Sequence, residues 1–281
     1  MLELLLQSPL IAGGYVFFTG LCVGSFLNVV IYRLPLMLER RWQAEAAELR
    51  AEEAPVYPRF NLMTPRSRCP HCGHHITALE NIPVISWLAL RGRCHECKAA
   101  ISPRYPLVEL ATALLSIGVF LVFGPTLKML AALGLTWALI ALAMIDFDTQ
   151  LLPDDITLPL LWAGLLFNLS SGFVTLPAAV LGATIGYLSL WSVYWLFKLA
   201  TGREGMGYGD FKLLAALGAW LGWLALPLIL LFSSLAGTIG GLGYFIVRRE
   251  SAPFAFGPYI AIAGFIALLW GQPLLRWYLG N

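Results

Sequence analysis

The amino-acid sequence predicts an all-α polytopic membrane protein of about eight transmembrane helices with one large polar loop. Three observations predict it. Of 281 residues, 59% are hydrophobic and 12% charged, against roughly 45–50% and ~25% in a soluble domain. The charge is also unevenly spread: eleven of the 18 Lys and Arg, seven of the 16 acids and all four histidines fall between Arg33 and Arg104. The remainder is a series of apolar stretches with short breaks, and its ten tryptophans suit belts at two membrane interfaces. These features exclude an ordinary soluble enzyme, a disordered chain and a small secreted disulfide scaffold.

A crossing helix needs ~20 apolar residues, with a range of roughly 17–25. The stretches that approach this are 10–32, 106–123, 127–145, 156–172, 177–198, 212–226, 228–247 and 257–278. The fourth is short, and only Pro227 separates the sixth from the seventh. The first has no basic segment before it and no small-residue cleavage site after it, so it reads as a retained span and not a cleavable signal. Cys22, inside it, reads as a small apolar filler. The expected organisation is a first span in 1–32, a polar loop in 33–105 and a seven-helix core in 106–281. With the loop in the cytoplasm, eight spans bring Lys198, Arg203, Lys212, Arg248 and Arg249 to the same side. Only Lys128 and Arg276 fall on the other, a split of 16 to 2 that satisfies the positive-inside rule. Both termini then lie outside the cytoplasm.

The polar loop carries four of the five cysteines as Cys69-Pro-His-Cys72 and Cys94-His-Glu-Cys97, with 21 residues between the pairs. Two C-x2-C pairs at this separation are close to a zinc-ribbon pattern. Each pair can sit on a tight turn that aims two sulfurs at one point, and two such turns complete a tetrahedral thiolate site. Gly73, directly after the first pair, suits a sharply turning backbone. Two disulfides are the alternative, disfavoured by a reducing cytoplasm. His71, His74, His75 and His95 are alternative ligands, but four thiolates already fill a structural zinc site. That site has no open position, so it reads as a staple for a loop with little core of its own.

Acids at the edge of a span are costly and mark function. The candidates are Glu109, Asp146, Asp148, Asp154, Asp155 and Asp210. Asp146 closes the third span and Asp210 opens the sixth, at the same membrane face in this topology. Two carboxylates brought together there would share one proton. One would activate a water while the other, protonated, polarised a peptide carbonyl. Gly205, Gly207 and Gly209 leave room beside Asp210 for a peptide. The plainer reading makes Asp210 an N-cap. Asp146 and Asp148 point roughly 200° apart on a helix, so only one can face a common site. Asp154 and Asp155 can cap the fourth span, and Glu109 can pair with an arginine at the membrane edge.

The Gly-x-Gly-Asp run ending at Asp210, with a preceding span ending at Asp146, resembles the intramembrane aspartyl proteases. More narrowly, the chain is similar to the type IV prepilin peptidases, which are also N-methyltransferases. The residues that carry this are the run from Gly24 to Pro35, the two cysteine pairs, Arg104-Tyr-Pro-Leu-Val-Glu109, Asp146 through Asp154, Gly-Tyr-Gly-Asp210-Phe-Lys212 and Phe256-Gly-Pro-Tyr259. They follow the family order over nearly the whole chain. The resemblance implies cleavage of the basic leader from type IV prepilins and type II secretion pseudopilins, at the cytoplasmic face of a bacterial inner membrane. It further implies N-methylation of the new terminus with S-adenosylmethionine. The family's catalytic aspartates fall on Asp146 and Asp210, and its zinc ligands on Cys69, Cys72, Cys94 and Cys97.

No G-x-G-x-x-G unit follows a strand in the loop, so no dinucleotide-type methyl-donor site is legible. The zinc loop is the expected place for it. The basic excess of the loop suits topology and anionic lipid more than a basic leader. Glu80, Glu96 or Glu109 are candidates for reading such a leader, and no nucleic-acid partner is expected. A proton-coupled transporter would also place acids in spans, but the halves show no repeat and the acids gather at one face. A non-catalytic zinc-ribbon scaffold is the other alternative.

Overall fold

The computed structural model describes residues 8–53, 55–170, 172–248 and 255–279. Arg249, counted above toward the cytoplasmic side, lies outside them. The described chain is helical: α1 (Pro9–Leu49), a short α2 (Ile85–Ala89), α3 (Arg104–Phe123), α4 (Leu127–Thr149), α5 (Asp154–Phe167), α6 (Leu176–Thr201), α7 (Tyr208–Leu221), α8 (Leu226–Arg248) and α9 (Gly257–Leu279). Contacts divide it into two compact units, residues 1–125 and 126–281.

Among the described residues, six helical segments are long and apolar enough to cross a membrane: α1, α3, α4, α6, the stretch Trp223–Gly243 and, within α9, Gly257–Leu274. The chain is thus a multi-pass membrane protein. The expectation of eight spans meets two helices of 14 residues, α5 and α7. Fourteen residues rise about 21 Å, short of a hydrocarbon core of ~30 Å. The break between the sixth and seventh stretches is not at Pro227. It is at Gly222, whose φ of 78° ends α7, followed by one 3-10 turn over Trp223–Ala225. Pro227 sits in the first turn of α8, where its missing N–H has no helical partner to lose.

In the first unit, α1 runs on past residue 32 as a helix of 41 residues, so the polar segment begins as a helical extension. Its apolar half lies against α3 through Gly20 and Gly24. A Cβ at these positions would stand 2.7 Å from the Ala113 Cα and 2.6 Å from the Glu109 Cα. Glycines four apart let two backbones approach, which matters in lipid, where apolar burial does not drive helices together. Asn28 adds a bond from Nδ2 to the Tyr105 carbonyl at 3.1 Å. The loop returns to α1 at Arg33, which is buried and donates to the Asn61 and Pro65 carbonyls at 2.8 and 2.7 Å. Cys22 is exposed on α1, so it does not fill a core.

The second unit is organised around α7. Every residue from Asp210 to Trp220 except Lys212 is buried. Helix α7 packs against α5, α6 and α9. The α6 contact is backbone on backbone: a Cβ on Gly182 would collide with the Gly218 carbonyl, and one on Gly218 with that of Gly182. One turn along, a Cβ on Gly186 would lie 2.8 Å from the Leu214 carbonyl oxygen. At the far end Trp220 Nε1 donates to the Leu160 carbonyl at 2.8 Å, and Asn168 Nδ2 to the Ala219 and Trp220 carbonyls at 2.8 and 3.1 Å. Asn168 is also the C-cap of α5, which is why that helix stops short of the expected residue 172.

Gly182→Ala is expected to force α6 from α7 and to cost about 1–3 kcal/mol, the range for overpacking. Gly14→Ala meets open space and is expected to be neutral or slightly stabilising. Thermal unfolding in detergent compares the two.

Candidate functional site

The expected acids fall into distinct environments in the second unit. Asp146 lies in the last turn of α4, 5% exposed, and Asp210 in the first turn of α7, 7% exposed. Asp210 is not the N-cap of α7. That place belongs to Gly207, whose carbonyl accepts the Asp210 N–H at 3.3 Å. Asp148 is exposed, as two residues of separation on a helix require.

Asp146 is held from across the unit. The Gly257 N–H, at the start of α9, donates to Asp146 Oδ2 at 2.9 Å. A helix N-terminus is where backbone donors and the helix dipole favour a carboxylate. The position admits no side chain, since a Cβ would lie 2.7 Å from the same oxygen. Leu152, buried, is the spacer between the two acids' supports. It stands 2.7 Å from where a Cβ on Gly209 would be and 3.2 Å from one on Gly257. Asp154 does more than open α5: both its oxygens accept from Lys212 Nζ at 2.7 Å. That pair ties the start of α5 to the turn carrying Asp210.

In the first unit the four cysteines converge. Their sulfurs all lie within 4.8 Å of one another, with Cys69–Cys97 at 3.7 Å and Cys72–Cys94 at 4.0 Å. None is paired as a disulfide. Four thiolates at ~2.3 Å around a tetrahedral zinc stand about 3.8 Å apart, so the set fits that metal. The backbone N–H groups of Cys72 and then His71 draw the Cys69 thiol down to about 6, whereas at Cys72 the backbone N–H of His74 is outweighed by desolvation and the neighbouring sulfurs, which push that thiol up to about 12.

The two turns are near copies. Cys69 N–H donates to the His74 carbonyl and Gly73 N–H to that of Cys69; Cys94 N–H donates to the Ala99 carbonyl and Lys98 N–H to that of Cys94. Bridges Arg68–His75 and Arg93–Ala100 close each one. Gly73 at φ 74° has its counterpart in Lys98 at φ 59°. Glu80 braces the first turn. It accepts from the Thr77 N–H and hydroxyl at 2.8 and 2.9 Å and meets His74 Nε2 at 3.1 Å. The Thr77 donors and then His74 hold its carboxyl down to about 2. Glu80 is therefore committed within the loop.

Glu109 is buried in α3 and accepts the Val84 N–H at 2.7 Å, so its partner is the loop backbone and not an arginine. Sequence reasoning also missed the roles of Gly257, Leu152 and Lys212. Gly257 lies in the Phe256-Gly-Pro-Tyr259 run, where a glycine before a helix-opening proline is the available signal.

Residues 18–123 match the profile described as the bacterial peptidase A24 N-terminal domain, and residues 133–242 that of the type IV leader peptidase family. A prepilin leader peptidase/N-methyltransferase of Aeromonas hydrophila is 62% identical over all of this chain and 98% of its own. Proteins of the same description from Stutzerimonas stutzeri and Pseudomonas aeruginosa are each 57% identical, over 99% of this chain and 97% of their own. No solved structure matches the chain significantly.

A left-handed backbone costs a side-chain-bearing residue roughly 1–2 kcal/mol. Lys98→Gly is expected to stabilise the second cysteine turn by about that amount, and Gly73→Lys to destabilise the first equally. Denaturant unfolding of the purified protein reads both.

Proposed function

The chain belongs to the type IV leader peptidase family, aspartic peptidases and N-methyltransferases of prepilins, and from that premise we propose that Asp146 and Asp210 carry out the cleavage. The observation that carries this is their placement: two buried carboxyl groups from the ends of different helices, with Leu152 abutting both Gly209, next to Asp210, and Gly257, whose N–H binds Asp146. Neither is neutralised by an ion pair among the described residues; the cation nearest Asp210 in sequence, Lys212, is engaged by Asp154. One carboxylate takes a proton from a water, which attacks the peptide carbonyl carbon. The other carboxyl group gives its proton to the carbonyl oxygen. Collapse of the tetrahedral intermediate breaks the C–N bond, and the amine leaves with a proton from the first aspartate. The Gly257 N–H fixes Asp146 Oδ2 and with it the plane of that carboxyl group.

Cys69, Cys72, Cys94 and Cys97 are proposed to hold one structural zinc. Bound there, it would pin the two loop turns together. S-adenosylmethionine is the expected methyl donor, by the family's chemistry; no cluster among the described residues marks its site, and no step is assigned to it. Substrates are prepilins and, by the same resemblance, the pseudopilins of type II secretion. We place the loop and both aspartates on the cytoplasmic side of the bacterial inner membrane, the arrangement in which α5 and α7 count as crossings and Lys and Arg divide 16 to 2.

Coexpression with a prepilin, followed by gel mobility of the pilin, tests the catalytic pair. Asp146→Asn and Asp210→Asn are each expected to lower processing at least about 100-fold, as loss of a general acid or base does. Asp148→Asn is expected to process normally. Full processing by either of the first two variants would overturn the two-aspartate mechanism. For the loop, one equivalent of zinc per chain is expected by elemental analysis. Cys69→Ser and Cys97→Ser should lose it and should lower N-terminal methylation, read by mass spectrometry of the mature pilin. Unchanged metal content would refute the ligand set.

A further inference from the structure

Helix α2 stands apart from the rest of the polar loop in composition and in place. Its sequence, Ile85-Ser-Trp-Leu-Ala89, carries no charge. Ile85, Leu88 and Ala89 are spaced three and four residues apart, so they share one face. That face is exposed, Ile85 at 60% and Leu88 at 62%. Trp87, on the opposite side, is turned into the loop. Its Nε1 donates to the Ile101 carbonyl at 3.1 Å, and its ring fills the space that a Cβ on Gly92 would need. The Ile101 N–H in turn bonds the Gly92 carbonyl at 2.7 Å. Through its tryptophan, α2 is thus joined to the base of the second cysteine turn.

The other attachment of α2 is to the spans. Val84, the residue that opens it, donates its N–H to the buried Glu109 at 2.7 Å. Glu109 is five residues, about 8 Å, inside α3, and its Cα abuts Gly24, which is nine residues, about 14 Å, before Arg33 on α1. Helix α2 therefore begins beside two membrane helices and not out in the polar loop. At that depth an unpaired backbone N–H is costly, and so is a lone carboxyl group within a span; each answers the other. Val84 holds a φ of 60°, rare for a β-branched residue and kept only where the surroundings fix it. On α3, Leu107 and Leu110 beside Glu109 are exposed as well, so both partners of this contact present apolar surface outward. Arg91 and Arg93 follow α2 directly and are exposed, which adds positive charge at the edge of its apolar face.

We propose that α2 lies in the membrane interface, with Ile85 and Leu88 among the acyl chains and Arg91 and Arg93 at anionic lipid headgroups. The bilayer is then what covers this face, and Trp87 holds the second cysteine turn at a fixed height above it. This placement rests on α1 and α3 being spans and is independent of the catalytic aspartates.

The test uses the full chain in nanodiscs of phosphatidylethanolamine and phosphatidylglycerol, with a photoreactive benzoylphenylalanine placed at Ile85, Leu88 or Val56. Val56 is apolar and 98% exposed, but it adjoins Tyr57, which bonds Gln43, ten residues or about 15 Å beyond Arg33 on α1. Lipid adducts in the intact mass are expected at Ile85 and Leu88, either sufficing, and not at Val56. Adducts at all three positions or at none overturn the proposal. So does crosslinking of one chain to another at Ile85 or Leu88, which would make the face a contact between copies. Ile85→Ser combined with Leu88→Ser asks the same question without a bulky probe. In the nanodisc, trypsin is expected to cut after Arg91 and Arg93 at least about tenfold faster in this variant than in wild type, a modest scale for freeing two apolar side chains. Cutting after Arg59, elsewhere in the loop, is expected to be equal in both. Unchanged rates at Arg91 and Arg93 refute the placement. An equal acceleration at Arg59 assigns the two side chains to the fold of the loop and refutes it too.

Discussion

The contact on which the second unit depends is the backbone-to-backbone approach of α6 and α7 at Gly182 and Gly218. In lipid, apolar side chains gain little by leaving hydrocarbon for a protein interior. Close packing and hydrogen bonds must hold helices together. A 14-residue helix is shorter than the hydrocarbon core is thick, so α7 relies on its neighbours to hold it in place. The glycines let α6 come near enough for that, and Trp220 and Asn168 fix the far end. With both ends of α7 set, Asp210 has a defined place at its first turn. The same device joins α1 to α3, where Gly20 and Gly24 bring two backbones together.

Positioning of the two aspartates uses helix ends. Asp146 closes one helix and takes its hydrogen bond from the opening of another, while Asp210 opens a third. Helix termini present backbone groups without intrahelical partners, so a carboxylate can be held there without a basic side chain. A nearby lysine or arginine would lock an aspartate in its charged form and oppose the proton-donor role proposed here for one of the pair. Lys212, the cation nearest in sequence to Asp210, is drawn off by Asp154. An acid that reads in sequence as a helix cap thus keeps a cation occupied.

Much of this was legible. Composition and charge distribution gave a polytopic helical protein, and the two C-x2-C pairs marked a cluster whose sulfurs converge in the structure. What was not legible depended on tertiary geometry. The glycines of α8 look alike in sequence, yet a Cβ on Gly240 would press on the Tyr259 hydroxyl of α9 while one on Gly243 meets nothing, and the glycines that bring backbones together are in α1, α6 and α7. Periodicity cannot tell a glycine that faces a helix from one that faces lipid. Pro227 looked like a breaker, but a proline in a first turn breaks nothing, and Gly222 ends the helix through its positive φ. Glu109 looked like half of an ion pair because its true partner, a backbone N–H, leaves no mark in a sequence. Lys98 concealed the likeness of the two cysteine turns, since only Gly73 advertises the left-handed position.

Leu152 has a consequence of its own. One side chain abuts the backbone beside both aspartates, at Gly209 and at Gly257. A displacement of the segment that carries it therefore pushes both supports at once. A substitution at Leu152 likewise reaches both supports of the proposed pair together. The leucine acts on the pair as a common gauge block acts on two machined faces.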